Sequence, residues 1–161
     1  MFFLDNIYLI PLLPAAGAVI MFFFGKKLQK QTISVVCVGA VALAFVMSCG
    51  AVWQYTHTHE YANGRGVDRP LYTWLGSDTG HLTYTTKDGY PAEFKAQVGF
   101  LLDPLSCIWL LFVTGVGTLI HIYSTGYMAH EGGYYRFFGY LNLFMFSMLT
   151  LIMGNNYAMM F

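Results

Sequence analysis

The chain alternates between long apolar runs and one extended polar stretch. Four runs contain no Asp, Glu, Lys or Arg, and they cover residues 7–24, 32–53, 104–123 and 137–153. A hydrocarbon core about 30 Å thick is crossed by roughly 20 helical residues, which is the length of each run. Each run must be helical in lipid, because unpaired backbone groups there cost several kcal/mol each. The pattern predicts an all-α polytopic membrane protein with about four transmembrane helices.

The runs divide the chain into three parts. Residues 1–53 hold transmembrane helices 1 and 2 with a basic loop between them, residues 54–102 form a long extramembrane loop, and residues 103–161 hold helices 3 and 4. The first run is preceded by no basic residue and is followed by lysines, unlike a cleaved signal peptide. We therefore expect it to be a retained helix.

The 54–102 loop carries turn and strand signals. Asn63-Gly64 and Asp88-Gly89 are strong turn dipeptides, and residues 81–86 read HLTYTT, which is β-branched and aromatic with partial alternation. These features predict a short β-hairpin closed near Asp88-Gly89. The loop is too short for an independent catalytic domain, so we expect it to cap the helices and to meet neighbouring proteins.

Charge in the short loops predicts the orientation. Lys26, Lys27 and Lys30 crowd the first loop, which the positive-inside rule places in the cytoplasm. The N-terminus and the 54–102 loop are then extracytoplasmic, and the loop around His130, Glu131 and Arg136 is cytoplasmic. The long loop has four bases and five acids, but loops of that length carry little weight in this rule.

Composition agrees with membrane insertion and excludes several other classes. Hydrophobic residues make up 57% of the 161 positions and charged residues 10%, against roughly 25% charged in soluble domains. Eight acids balance eight bases, so no net field draws the chain to nucleic acid. Cys37, Cys49 and Cys107 lie in or beside apolar runs without a CxxC spacing, which is typical of packing residues.

Local motifs for catalysis or cofactor binding are weak. His57, His59 and Glu60 lie within THTHE at 56–60, which could hold a metal but more often simply meets water after a helix. The glycines form no GxGxxG or phosphate-loop pattern. We expect no catalytic, cofactor or metal site in this chain.

Ionisable residues inside a membrane usually mark proton or ion paths, and here they are nearly absent. Only His121 sits within a run, near the predicted inner end of helix 3, as a possible proton relay or a hydrogen-bonded structural group. Asp103 before Pro104 predicts an N-cap followed by proline at the first helical position. Arg136 is predicted to be an anchor at the inner face. Small residues spaced four apart in helix 2 favour close helix packing, and they are Ala40, Ala44 and Ser48.

Longer motifs give the chain a family resemblance. Residues 98–106 read VGFLLDPLS, residues 119–128 read LIHIYSTGYM, residues 136–149 read RFFGYLNLFMFSML, and residues 154–156 read GNN. Together they closely resemble the N-terminal part of the subunit L family of NADH-quinone oxidoreductase (respiratory complex I), the distal antiporter-like subunit equivalent to mitochondrial chain 5. The segment PLYTWL at 70–75 fits the same family, so the resemblance covers nearly the whole chain.

The resemblance implies a subunit that contributes to proton translocation coupled to NADH oxidation by quinone. Family members continue into inverted helix repeats whose proton path uses a buried glutamate, introduced by a Gly-Trp-Glu-Gly segment, and midplane lysines. This chain is expected to be truncated before those residues. The resemblance also implies enzyme activity only as part of the complex, with NADH, FMN, iron–sulfur clusters and quinone held by partner subunits. The expected partners are other membrane subunits, especially the neighbouring antiporter-like one, in a bacterial inner membrane.

Two other functions remain open from the sequence. The large subunit of a multisubunit Na⁺/H⁺ antiporter shares the Asp-x-Leu-Ser, Tyr-Ser and Arg-Phe-Phe pieces, although PLYTWL favours the respiratory complex. A purely structural or assembly role is the third hypothesis. It predicts that His121→Ala leaves pumping intact while the complex still forms.

Overall fold

The computed structural model describes residues 2–58, 66–75, 83–85, 91–93 and 96–156. Within them, four strands lie between the first group of helices and the last two helices. The helices are α1 (Phe2–Asp5), α2 (Leu9–Phe24), a 3-10 turn (Gly25–Lys27), α3 (Lys30–Thr56), α4 (Pro104–Tyr127) and α5 (Tyr134–Met153). The strands are β1 (Val67–Leu75), β2 (Thr83–Thr85), β3 (Pro91–Glu93) and β4 (Ala96–Leu102).

Four helices are long and apolar enough to cross a membrane, as the sequence predicts. They are α2 with its 3-10 turn, α3, α4 and α5. All but α2 extend beyond the apolar runs, because polar and aromatic residues at the ends continue the helical hydrogen bonding. For example, α4 continues to Tyr127 and α5 begins at Tyr134. The chain is a multi-pass membrane protein.

The four helices form one bundle. Helix α3 packs against α2 and α4, α5 packs against the same two helices, and α3 also contacts α5. Successive helices run in opposite directions, so the bundle has two ends. We call residues 25–30 and 128–136 the lysine end. There, Lys30 Nζ donates to the Ala129 carbonyl at 2.7 Å, and the Ser34 and Tyr134 hydroxyls are 2.6 Å apart.

The opposite end, the sheet end, comprises residues 2–8, 66–75, 96–103 and 154–156. Strand β1 pairs antiparallel with β4, and the pairing register shifts twice. Phe100 forms a further bridge with Gly154, which joins the sheet to the end of α5. Helix α1 and the strands β1 and β4 therefore share one end, as the predicted topology requires.

The predicted hairpin is present. Strand β2 pairs antiparallel with β3, with Thr85 opposite Pro91. Its connection, which includes Asp88-Gly89, lies outside the described residues, as does Asn63-Gly64. The longer β1–β4 pairing is a feature that the sequence analysis did not predict.

A short helix, α1, precedes the first predicted span and is also new. Gln54 Oε1 accepts hydrogen bonds from the backbone N–H groups of Phe3 and Leu4, at 3.0 and 3.1 Å, and so caps α1 from α3. The Phe3 ring lies over Gly50, where an added Cβ would be 2.7 Å from the ring. An ion pair of 2.7 Å between Arg69 and Asp5 links β1 to α1.

Candidate functional site

Asp103 caps helix α4 as predicted. Its carboxylate accepts a hydrogen bond from the Ser106 backbone N–H at 2.7 Å, and Pro104 occupies the first helical position. The Ser106 hydroxyl donates to the Ile152 carbonyl of α5 at 3.2 Å. This cap fixes where α4 begins and joins its first turn to the last turn of α5.

Arg136 lies in the first turn of α5 at the lysine end, and its side chain is exposed. Its Nε donates to the Tyr135 hydroxyl at 3.0 Å, and the guanidinium lies 5.6 Å from the centre of that ring. This position fits an anchor at a membrane interface. Arg136 and Asp103 therefore lie at opposite ends of the bundle.

His121 is more deeply placed than the sequence suggested. It is completely buried, and six residues of α4 follow it, so it is not a helix-end group. Its Nδ1 lies 2.8 Å from the Gly117 carbonyl of its own helix. Its Nε2 lies 3.3 Å from Asn142 Nδ2 on α5. His121 therefore joins two helices inside the bundle.

Asn142 belongs to this site, although the sequence did not predict it. It is completely buried, and its Nδ2 also donates to the Phe138 carbonyl at 3.0 Å. Its Oδ1 is buried without a hydrogen-bond partner among the described residues. By contrast, the buried hydroxyls of Ser48 and Thr114 each donate to a carbonyl of their own helix. The sequence pattern does not show whether an asparagine within an uncharged run is buried or lies on the helix surface.

Two glycines, Gly17 and Gly117, let the neighbouring helices approach His121 and Asn142. We call these four residues the buried polar cluster. At Gly17 of α2, an added Cβ would lie 2.8 Å from Asn142 Oδ1 and 3.4 Å from the Ala40 Cβ of α3. At Gly117 an added Cβ would lie 2.6 Å from the flexible end of Met145. The cluster thus lies where all four helices meet.

The donors and acceptors of the cluster define its chemistry. A carbonyl can only accept, so His121 Nδ1 carries a proton and donates to Gly117. Asn142 Nδ2 can only donate, so His121 Nε2 accepts from it. The arrangement fits a neutral imidazole in a single tautomer. A second proton on Nε2 would face the Asn142 Nδ2 donor, so these contacts are specific to the neutral imidazole.

The other candidates form no site together. His57 lies at the end of α3, where its Nδ1 is 2.8 Å from the Trp53 carbonyl and its ring lies 4.7 Å from that indole. His59 and Glu60 lie outside the described residues. Over the residues described, no group of three His, Cys, Asp or Glu side chains could hold a metal. Cys37 and Cys107 are buried as packing residues, whereas Cys49 is exposed on the bundle surface.

Comparison with known proteins agrees with the resemblance. Residues 90–138 match the family described as NADH-Ubiquinone oxidoreductase (complex I), chain 5 N-terminus. NADH-quinone oxidoreductase subunit L of Neisseria meningitidis (strain Z2491) is 36% identical over 95% of this chain and 20% of that protein. The Escherichia coli K12 subunit L is 33% identical over 93% of this chain and 22% of its own length.

A chloroplast relative extends the comparison. NAD(P)H-quinone oxidoreductase subunit 5 of Zygnema circumcarinatum is 34% identical over 93% of this chain and 19% of that protein. The chain spans about a fifth of the length of the curated relatives it matches. The predicted resemblance to the N-terminal part of these subunits is confirmed.

Proposed function

We propose that this chain, a relative of the N-terminal part of subunit L and chain 5, is part of a membrane subunit of a proton-translocating NADH:quinone oxidoreductase. The similarity over 95% of its length carries the proposal, because it spans all four helices and the strands between them. Enzyme activity would then belong to the assembled complex. The relatives named above are quinone oxidoreductase subunits, which favours this function over a Na⁺/H⁺ antiporter.

Within that complex, we propose that these four helices support the proton path without forming it. The charged residues of the four helices are Lys30 and Arg136, and both lie in a first turn. A proton path through a bilayer relies on ionisable groups at depth, which are expensive to keep there and are retained for that purpose. Here the buried polar cluster offers one neutral histidine with both ring nitrogens already hydrogen-bonded.

His121 would therefore act as a contact between α4 and α5. Its bond to Asn142 crosses between helices, and interhelical hydrogen bonds in membranes contribute about 0.6 kcal/mol on average and at most about 1.7. Asp103 would set the start of α4, and Arg136 would anchor α5 at the interface. None of the three would touch substrate.

The resemblance also suggests the surroundings of the chain. We propose a bacterial inner membrane, with other membrane subunits as partners, especially the neighbouring antiporter-like subunit. NADH, FMN, iron–sulfur clusters and quinone would bind in partner subunits. The lysine end would face the cytoplasm, because Lys26, Lys27, Lys30 and Arg136 lie there against Glu131 alone. Lys27→Cys, combined with Cys49→Ser to remove the exposed native thiol, should react with an impermeant maleimide only after cell lysis, whereas labelling in intact cells would reverse the orientation.

Deletion of the gene tests the function. NADH-driven acidification of inverted membrane vesicles should be lost, while succinate-driven acidification in the same vesicles remains as a control. Growth in high sodium should be unaffected. If sodium tolerance falls while NADH-driven acidification persists, the antiporter function replaces this proposal. If both persist, the chain has neither role.

A further inference from the structure

The lysine end carries a positive patch that the proposed function leaves unused. Lys26, Lys27 and Arg136 are all exposed, and no ion pair among the described residues involves them. Lys30, by contrast, is occupied by its hydrogen bond to Ala129 and by the Tyr134 ring, 5.7 Å away. Glu131 is the acid at this end. The patch therefore has an excess of cations with free hydrogen-bond donors.

Packing brings these cations together from two separate segments. Gly25 of the 3-10 turn is buried against Tyr135 of α5, and an added Cβ at Gly25 would lie 2.9 Å from the Tyr135 Cβ. Lys26 and Arg136 are the chain neighbours of these two touching residues. The Tyr135 hydroxyl accepts from Arg136 Nε, which orients the guanidinium and leaves its terminal N–H groups free. Paired guanidinium N–H groups suit bidentate binding of a phosphate.

An exposed aromatic surface lies next to the patch, toward the middle of the membrane. Phe22, Phe23 and Phe24 end α2 just before the 3-10 turn, and Phe23 is 78% exposed. The Phe22 ring packs edge-on against Tyr140 of α5, with centroids 5.5 Å apart, and Tyr140 lies one turn beyond Arg136. Cations at the interface therefore continue into an apolar face formed by α2 and α5.

We propose that this junction binds the headgroup of an anionic phospholipid, with its acyl chains lying along Phe22 and Tyr140. Lys26, Lys27 and Arg136 would contact the phosphate oxygens. Basic residues at a membrane surface attract anionic lipids, and basic pockets between transmembrane helices bind lipid headgroups. The adjoining aromatic face distinguishes a lipid from a free anion, because a soluble phosphate would gain nothing from it.

Native mass spectrometry of the purified protein in detergent can test this site. Phosphatidylglycerol, phosphatidylcholine and inorganic phosphate are each titrated against the parent protein and against a variant with Lys26→Gln, Lys27→Gln and Arg136→Gln. Phosphatidylglycerol should bind the parent in preference to phosphatidylcholine, and its affinity should fall roughly fivefold for each charge removed. Inorganic phosphate should not compete with it.

Control variants separate this site from effects on folding and from positive charge elsewhere on the chain. Arg69→Gln removes one positive charge from the sheet end and should leave phosphatidylglycerol binding unchanged. Phe22→Ala should weaken phosphatidylglycerol binding while the charges remain, and all variants are checked for unchanged thermal unfolding. The proposal is overturned if the triple variant keeps the parent's affinity, if phosphatidylcholine binds equally well, or if inorganic phosphate displaces the lipid.

Discussion

At the scale of single residues, Asn142 shows how one polar side chain can organise helix packing. Both of its N–H donors are used, one toward His121 and one toward the Phe138 carbonyl, while its Oδ1 lies against Gly17. An unpaired buried acceptor is unfavourable, and a change nearby that moves the amide would break both bonds. Gly17, which has no side chain to displace the amide, is therefore part of the same arrangement.

Gly17→Ala should destabilise the bundle. The new Cβ would lie 2.8 Å from Asn142 Oδ1, so the amide or the helix must move, and overpacking of a core typically costs about 1–3 kcal/mol. Thermal unfolding in detergent measures the effect. Gly39→Ala, on α3, is the matched control, because its added Cβ has no atom within 4 Å among the described residues apart from the neighbouring backbone of its own helix. Equal stability of the two variants would show that Gly17 is not required for close packing.

His121→Leu separates a structural role from proton relay. The substitution removes the acceptor of Asn142 Nδ2 and should lower stability by about 0.6 kcal/mol, and by no more than about 1.7 kcal/mol, because these are the average and the largest values for interhelical hydrogen bonds in membranes. NADH-driven pumping per assembled complex, and its dependence on pH, should match the parent. A pumping rate that collapses in a fully assembled complex would instead make His121 a relay.

Local chemistry decided which residues the sequence could predict. Asp103 was predicted correctly because an acid before proline at the start of an apolar run needs only its own neighbours to act as a cap. The depth of His121 and the importance of Asn142 were not predictable. Their roles come from a contact between residues 21 positions apart on different helices. The roles of His121 and Arg136 in function stay predictions.

At the scale of elements, strand β4 is fastened to the end of α5. The Asn155 backbone N–H donates to the Gly99 carbonyl at 3.3 Å, its side chain donates to Asp68 at 3.2 Å, and Asn156 Nδ2 donates to the Gln97 carbonyl. The segment GNN at 154–156 therefore has a structural use. It joins the last described helix to both strands of the sheet.

Gly99→Ala should loosen the sheet end. The added Cβ would lie 2.8 Å from Pro70 Cα and 2.9 Å from the Arg69 carbonyl oxygen, and backbone atoms cannot move aside as a flexible side chain can. We expect faster proteolysis between α3 and α4, measured on protein in detergent. Gly126→Ala is the control, because in the described part of the chain nothing beyond its own helix backbone lies within 4 Å of its added Cβ. If proteolysis of the Gly99 variant is unchanged, β1 and β4 accommodate the added methyl group without loosening the sheet end.

The helices and the sheet differed in how far the sequence predicted them. Each membrane helix coincides with an unbroken apolar run, so the run alone is enough to predict the helix. The β1–β4 pairing joins Val67 to Leu102, and such distant partners leave no local pattern. Helix α1 was missed for a similar reason, since its first N–H groups are capped by Gln54, about 50 residues away.

At the scale of the whole molecule, the two ends of the bundle have different chemistry. The sheet end is closed by strands, an ion pair and asparagine hydrogen bonds, whereas the lysine end carries exposed cations beside aromatic rings. The buried polar cluster lies in the described interior between them.

We propose above that the chain is part of a respiratory NADH:quinone oxidoreductase, and its migration with the assembled complex tests this. The most direct measurement is native gel electrophoresis of gently solubilised membranes, with an antibody against this chain and an in-gel stain for NADH oxidation. We expect the antibody signal to coincide with the NADH-oxidising band and to move with it when a partner subunit is deleted. A chain that migrates apart from every NADH-oxidising band would not be a subunit of the oxidoreductase.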